Sequence, residues 1–478
     1  MSAVNKKYEM IVGLEVHVEL STDTKIFCSC STRFGALPNT QCCPVCMGLP
    51  GSLPVLNRRV VEYAIKAGLA TNCEISRYSG QDRKNYFYPD LPKAYQISQY
   101  DRPLCRDGYV EIKCESGRRR IGIERIHIEE DAGKLIHDAD RGTLIDFNRC
   151  GVPLIEIVSR PDIRSAEEAK EYLRSLRTLM LYAGVSDCKM NEGSLRCDVN
   201  ISVRPKGSES LGARCEIKNI NSFSFVAKAI EYEFSRQTAM IEQGAEVTCQ
   251  TRRFDTATGK TYSMRSKESA DDYRYFPEPD LPPIEISEEM IEKIRSEMPR
   301  LPAERREEYI SEYGIGEYDS EVLTADKALA DYFESAAEHT EYRKTLANII
   351  ISELLRLAKS EDFECGISPE NLGELATLYG SARINSSTAK KLLQRLWEDD
   401  TSPEEIVRAE GLEQINDAEL LRGYVARAIE ENPASARDYR RGKTVAAKAI
   451  VGRVMSATGG RANPTVVSKL TEDMLNSI

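Results

Sequence analysis

The sequence is poor in histidine, has no long apolar run and carries no excess of positive charge. Only four histidines occur in 478 residues, so a serine or cysteine triad has few partners to draw on. His137 and His339 are expected on the surface. No apolar run approaches the 18 residues of a membrane span, and the opening MSAVNKKYEM lacks the apolar core of a secretory signal. A cytoplasmic protein with no membrane partner is therefore expected. The net charge of -11 argues against a uniformly basic coat for nucleic acid, but not against a local basic patch. GKT occurs at 259–261 and 442–444, yet the first glycine of a phosphate-binding loop would fall on Phe254 and on Arg437. Neither a GxSxG elbow nor a protein-kinase motif set is present.

Cysteine is plentiful, at fourteen residues, and too scattered for a secreted disulfide scaffold. Cys28 and Cys30 form CxC, and after twelve residues Cys43 and Cys46 form CPVC. Two such pairs supply four thiolates to a tetrahedral zinc, and four sulfurs leave no open position for water, which points to a structural role. Cys42 lies beside the second pair and is an alternative to Cys43; free thiols are the alternative to a metal site.

Several segments alternate apolar and polar residues with the period of a strand. In EMIVGLEVHVEL, residues 9–20, Glu15, His17 and Glu19 share one face while Leu14, Val16, Val18 and Leu20 share the other. IGIERIHIEEDAGK, residues 121–134, puts Ile121, Ile123, Arg125, His127 and Glu129 on one face if pairing continues to Glu129. Glu156 interrupts the apolar run PLIEIVS, Asp198 and Asn200 share a face of SLRCDVNISVRP, and Glu216 and Lys218 share a face of ARCEIKNIN. The repeated design predicts a broad antiparallel sheet with a polar floor. Crowded carboxylates on such a floor repel, and Mg²⁺ ions, which prefer oxygen ligands and often bridge to phosphates, would relieve them. A metal and nucleotide site built from Glu15, His17, Glu129, Glu156, Asp198, Asn200, Glu216 and Lys218 stands against a merely solvated sheet face. Residues 82–100, rich in tyrosine and charge and broken by two prolines, read as an ordered loop of the kind that forms binding surfaces.

Helical periodicity appears in RRVVEYAIKAGLA, in SAEEAKEYLRSLRTLMLYAG with Ser165 as N-cap, and in FSFVAKAIEYEFSRQTAMIEQG. A proline group within 277–283 marks a boundary, and beyond Glu288 only charged amphipathic helices follow, with a further break near DDTSP. The chain is thus expected to be α+β: a large sheet domain over 1–290, an all-helical domain over 291–400 and a small helical tail over 401–478. Between Ala434 and Ala462 stand Arg437, Arg440, Arg441, Lys443, Lys448, Arg453 and Arg461 against one acid, Asp438. This local excess is the candidate contact for a phosphate backbone.

VGLEVHVEL at 12–20, DRKNYFYPDLPKAYQISQYD at 82–101, HIEEDAGK at 127–134, GVPLIEIVS at 151–159, GSLRCDVNISVRP at 193–205, DDYRYFPEPDL at 271–281 and GKTVAAKAIVGRVM at 442–455 closely resemble the B subunits of tRNA-dependent amidotransferases. The resemblance covers nearly the whole chain. It implies a cradle built on an antiparallel sheet, then a helical domain, then a tail that contacts tRNA. It further implies that Mg-ATP phosphorylates the side-chain carboxylate of glutamate or aspartate misacylated on tRNA(Gln) or tRNA(Asn). Ammonia from a glutaminase A subunit would then displace phosphate, within a heterotrimer that includes a small C subunit.

Residue by residue, the resemblance implies that Glu15, His17, Glu130 and Glu156 hold Mg²⁺ and ATP, with Glu129, Asp198, Asn200 and Glu216 as further candidates. Lys84 and Tyr88 match the part of the family near the ammonia route, and Cys28, Cys30, Cys43 and Cys46 match a zinc knuckle found in some members only. Where many relatives read QETRR, this chain has Gln250, Thr251, Arg252 and Arg253, which puts any role of that glutamate in doubt. Two alternatives remain. An archaeal E-type paralogue carries an extra domain for which 478 residues leave no evident room; a zinc-containing tRNA-binding module would lack the catalysis altogether. Whether Glu-tRNA(Gln), Asp-tRNA(Asn) or both are substrates stays open.

Overall fold

The structure is a computed structural model and describes residues 7–115, 117–266, 273–358 and 363–477. The opening residues 1–6 and the first two residues of the DDYRYFPEPDL motif lie outside this range. The chain forms two compact units, Met1–Leu301 and Pro302–Ile478.

In the first unit the strands are β1 (Tyr8–Glu19), β2 (Glu74–Ile75), β3 (Tyr78–Ser79), β4 (Asp82–Asn85), β5 (Tyr95–Ser98), β6 (Cys105–Cys114), β7 (Gly117–Glu130) and β8 (Lys134–Asp138). They continue as β9 (Gly142–Asp146), β10 (Pro153–Ser159), β11 (Leu195–Pro205), β12 (Cys215–Ile220), β13 (Gln250–Asp255), β14 (Lys260–Ser266), β15 (Phe276–Pro277) and β16 (Ile284–Glu285). Nine of them form one sheet in the order β14, β13, β12, β11, β1, β10, β7, β6, β2. Every pair in it is antiparallel except β12 with β13, which run parallel.

Alternation in β1 buries Val12, Leu14, Val16 and Val18 at 1% exposure or less. Removing each such side chain from water contributes about 1.5–3 kcal/mol, which fixes the register of the strand. Helices α1 (Arg58–Ala70), α2 (Ala166–Tyr182), α3 (Phe223–Glu242) and α4 (Glu288–Ser296) supply the rest of this core through Ile65, Leu173, Ile230 and Ile291. At Gly68 a Cβ would lie 2.5 Å from Cys105 Sγ, so only glycine lets α1 approach the sheet this closely. α2 starts where Ser165 accepts the Glu168 N–H, as its capping pattern predicts.

Strand β7 departs from simple alternation. Arg125 pairs with Val158 but Ile123 pairs with Ser159, so Glu124 is an extra residue opposite β10. This bulge resets the parity. Ile121 and Ile123 before it, and Ile126 and Ile128 after it, all reach the apolar core, while Arg125, His127 and Glu129 face the other way. The expectation that Ile121 and Ile123 share a face with His127 and Glu129 is corrected accordingly: unbroken alternation would have left isoleucines on the floor or charges in the core. Residues 82–100 are likewise more ordered than a loop. β4 and β5 pair antiparallel, and β15, nearly two hundred residues later, adds a third strand.

The expected border at 290/291 falls inside α4, whose Ile291 and Ile294 are buried in the sheet unit's core. The second unit is all helical and has two apolar clusters. The first runs from Tyr309 to Leu412 around Phe333, Leu346 and Leu375; the second runs from Ile415 to Leu475 around Val425, Ile450 and Val467. The expected break at 400/401 precedes helix Pro403–Glu410, whose Ile406 and Val407 belong to the first cluster. No helix among the described residues is long and apolar enough to cross a membrane.

Candidate active site

The five middle strands of the sheet present a polar face opposite the helices. Pairing registers align it into rows. Arg196, His17, Glu156 and His127 stand opposite one another across β11, β1, β10 and β7, and Asp198 stands opposite Glu15 in the next row. Two groups of potential ligands result, one of His17, Glu129 and Glu156, the other of Glu15, Asp198 and Glu216. Within each group one ligand atom per residue lies within 4.8 Å of the others.

Charge on this floor is crowded and partly balanced. Burial raises the Glu15 carboxyl above its usual range, and the nearby carboxylates of Glu156, Asp198 and Glu216 raise it further. Against its burial, Glu156 is held well below the usual range by His127 and His17, whose Nε2 atoms each lie 3.5 Å from its Oε2. Lys218 bonds Asp198 at 2.5 Å and lies 3.2 Å from Glu216; these acids raise the lysine despite its burial. Asn200 donates to Glu15 at 2.8 Å, and Thr251 donates to Glu216 at 3.0 Å. Asn200 Oδ1 and His127 Nδ1 are buried with no hydrogen-bond partner among the described residues, so each has capacity left for a ligand or water. Carboxylates with one imidazole, at this spacing, fit divalent cations that prefer oxygen.

Glu129 and Glu130 part company here. Glu129 is 2% exposed on the floor, with Lys84 Nζ 3.6 Å away. The structure does not bring Glu130 to His17 and Glu156, as the resemblance had implied. By alternation it points to the opposite side, where it pairs with Lys93, accepts the Ile97 N–H at 2.9 Å and lines a cavity of about 200 Å³ with Lys25 and Cys46. Lys84 lies 5.2 Å from the Tyr273 ring centroid, and Glu129 raises it against its burial. Tyr88 is exposed.

Sequence reasoning missed a third group at the far end of the floor. Arg196 bonds Asp131 at 2.7 Å, and Arg149 lies 3.5 Å from the same oxygen. Against its burial, these two guanidiniums hold Asp131 below the usual range. Glu19 beside it is pushed up to about 8, by burial and then by the Asp131 charge. The signal was available: Arg196 lies two residues before Asp198 in one alternating strand, and Glu19 two after His17. His127 likewise shares the parity of Glu129.

The sulfur atoms of Cys28, Cys30, Cys43 and Cys46 also lie within 4.8 Å of one another, which fits a tetrahedral zinc. Cys43 and not Cys42 belongs to this group; Cys42 Sγ is 3.7 Å from Asn148 Oδ1. A hydrogen bond from Cys28 and one from the Cys43 N–H pull Cys46 down to about 4, into the thiolate range.

In the helical unit, Arg437, Arg440, Arg441, Lys443, Lys448, Arg453 and Arg461 are all exposed. Lys443 pairs with Asp438 and Arg453 with Glu431, whereas Arg437, Arg440, Arg441 and Lys448 have no ion-pair partner among the described residues.

Comparison with known proteins agrees with this layout. Residues 10–292 match the GatB/GatE catalytic domain, and residues 331–475 match the GatB domain. A Caldicellulosiruptor saccharolyticus protein, named as the B subunit of aspartyl/glutamyl-tRNA(Asn/Gln) amidotransferase, is 53% identical over 479 residues, covering 99% of this chain and 100% of its own. Proteins of the same name from Caldanaerobacter subterraneus and Clostridium botulinum are 53% and 51% identical, each covering 98% of this chain and 100% and 99% of their own. With a catalytic-domain match over more than half its length and relatives this similar from end to end, the chain belongs to the GatB family, that of the B subunits of aspartyl/glutamyl-tRNA(Asn/Gln) amidotransferases.

Proposed function

We propose that this chain is the kinase and amide-forming subunit of a cytoplasmic tRNA-dependent amidotransferase, working with a glutaminase A subunit and a small C subunit. Its substrates are ATP and glutamate or aspartate misacylated on tRNA(Gln) or tRNA(Asn). The observation that carries this reading is the pair of three-ligand groups, His17 with Glu129 and Glu156 and Glu15 with Asp198 and Glu216, side by side on one sheet face.

The chemistry asks for such a face. A side-chain carboxylate oxygen attacks the γ-phosphorus of ATP and the bond to ADP breaks; ammonia then attacks the acyl carbon and phosphate leaves. Both partners of the first step are anions, so the floor must offset their repulsion. His17, Glu129 and Glu156, and Glu15, Asp198 and Glu216, would hold Mg²⁺, whose positive charge would offset the negative charge of the phosphate oxygens. His127 Nε2 lies 3.7 and 3.5 Å from Oε2 of Glu129 and Glu156, and Asn200 orients Glu15 by donating a hydrogen bond. Lys84 places a cation beside Glu129, and Lys218 bridges Asp198 and Glu216. We assign Glu130 to the opposite wall of the strand, outside the metal-binding set. The four cysteines hold a structural zinc, and the unpaired arginines after Ala434 contact the tRNA backbone within a tail whose apolar cluster begins at Ile415.

The test is amide formation by the chain with its A and C partners, given Mg-ATP, ammonium and each misacylated tRNA in turn. Glutaminyl-tRNA or asparaginyl-tRNA that appears only with ATP supports the reading and identifies the substrate. Bound tRNA without product would favour a binding module instead.

A further inference from the structure

Lys25 is completely buried, at 0% exposure, and no carboxylate pairs with it among the described residues. Its Nζ has three contacts for three protons: the Gln41 carbonyl at 2.8 Å, the Phe147 carbonyl at 3.4 Å and Cys46 Sγ at 3.6 Å. The two acids that line the adjoining cavity are engaged elsewhere. Glu130 is taken by Lys93 and the Ile97 N–H, and Asp280 by Arg83 at 3.0 Å. An ammonium removed from water needs a negative charge close by, and both carbonyls are neutral. Of the three acceptors only the sulfur can carry a formal charge.

The surroundings make this a built position. The segment 37–41 is laced to 145–148 by Asn39 with Asp146 and Ile145, and by Asn148 with Gln41 and Leu37, at 2.7–3.1 Å. Lys25 crosses the same seam, bonding the cysteine-bearing segment through Gln41 and the facing segment through Phe147. Four thiolates around one Zn²⁺ carry a net charge of about -2, which an adjoining cation offsets.

We propose that Lys25 is a positioning residue that balances the charge of the four-cysteine group and thereby sets how tightly the metal is held. The inference rests on the zinc reading above. Its role is distinct from that of the ligands: it touches one sulfur, and its charge acts on the whole set.

The experiment measures zinc affinity of the full-length chain by competition with a chromophoric chelator, for wild type, Lys25→Met and Lys25→Arg. Lys25→Met is expected to bind zinc about 10–100-fold more weakly, the range typical of lost partners around a metal's ligands. Lys25→Arg keeps the charge and is expected to stay within about threefold of wild type. With cobalt in place of zinc, the thiolate-to-metal charge-transfer band is expected to shift in Lys25→Met alone, which a merely structural contact would not produce. Should Lys25→Met fail to fold, Lys25→Gln takes its place. Wild-type affinity in the uncharged variant, or equal loss in both variants, would overturn the role of the lysine charge while leaving the zinc site intact. A wild-type chain that binds no zinc would overturn both readings.

Discussion

Glu129 and Glu130 are neighbours in sequence and face opposite sides of one strand, and that difference can be measured. Glu129→Gln is expected to raise the Mg²⁺ concentration for half-maximal amide formation by about tenfold or more, whereas Glu130→Gln leaves the Mg²⁺ titration unchanged. A titration with the two variants in parallel checks this directly. Glu19 gives a pH test. Its folded carboxyl holds a proton up to about 8, while the ordinary glutamate value is 4.5. The stability that this proton brings is complete below the unfolded value and is lost as pH rises through the folded one. Glu19→Gln keeps the neutral form, so its melting temperature is expected to exceed that of wild type by about 2 °C at pH 8.5, with the gap closing toward pH 4.5. At this scale the sequence was informative for β1, where alternation alone put Glu15, His17 and Glu19 on the polar face. Alternation also put Glu129 with His127, where the structure has them; the resemblance favoured Glu130, and what alternation could not show was the bulge that sets Ile121 and Ile123 on the other face, because that is decided by pairing with β10.

At the scale of elements, the bulge at Glu124 does for β7 what no single side chain does. Deleting Glu124 would restore unbroken parity and turn either the isoleucines at 121 and 123 or the acidic end of the strand to the wrong side. The expected outcome is insoluble protein on expression, in contrast to soluble Glu124→Ala. Capping at α2 is gentler: Ser165→Ala loses the bond to the Glu168 N–H and is expected to cost about 1 kcal/mol in urea unfolding with amide formation unchanged. A local signal such as this cap could be read from sequence because a few adjacent residues determine it. Residues 82–100 could not, since Phe276–Pro277, the strand that completes their small sheet, lies far along the chain.

At the scale of the molecule, the sheet unit and the helical unit have separate apolar cores. A zinc chelator is therefore expected to lower the melting temperature of the sheet unit by several degrees, since binding free energy of a structural metal is folding free energy. A fragment of residues 302–478 is expected to melt at the same temperature with and without chelator, as followed by circular dichroism. The change from alternating strands to amphipathic helices was plain in the sequence. Borders were less so, because α4 looks like the helices that follow it and is held by the sheet it packs on.

The place of β1 has a consequence for how the protein is made. Of the described strands in this sheet β1 leaves the ribosome before the others, and it lies in the middle, between β10 and β11. Its last residue is Glu19 and its second partner ends at Pro205. At roughly 5–20 residues per second, the interval between them is about 10–40 seconds. Until Ser159 completes β10 the strand has an apolar face and two open edges, and one edge stays open until Pro205 completes β11, which makes it the segment a chaperone must shield. A nascent chain released before Leu195 therefore lacks β11 and with it Asp198 and Asn200, so the floor stays open on one side of β1.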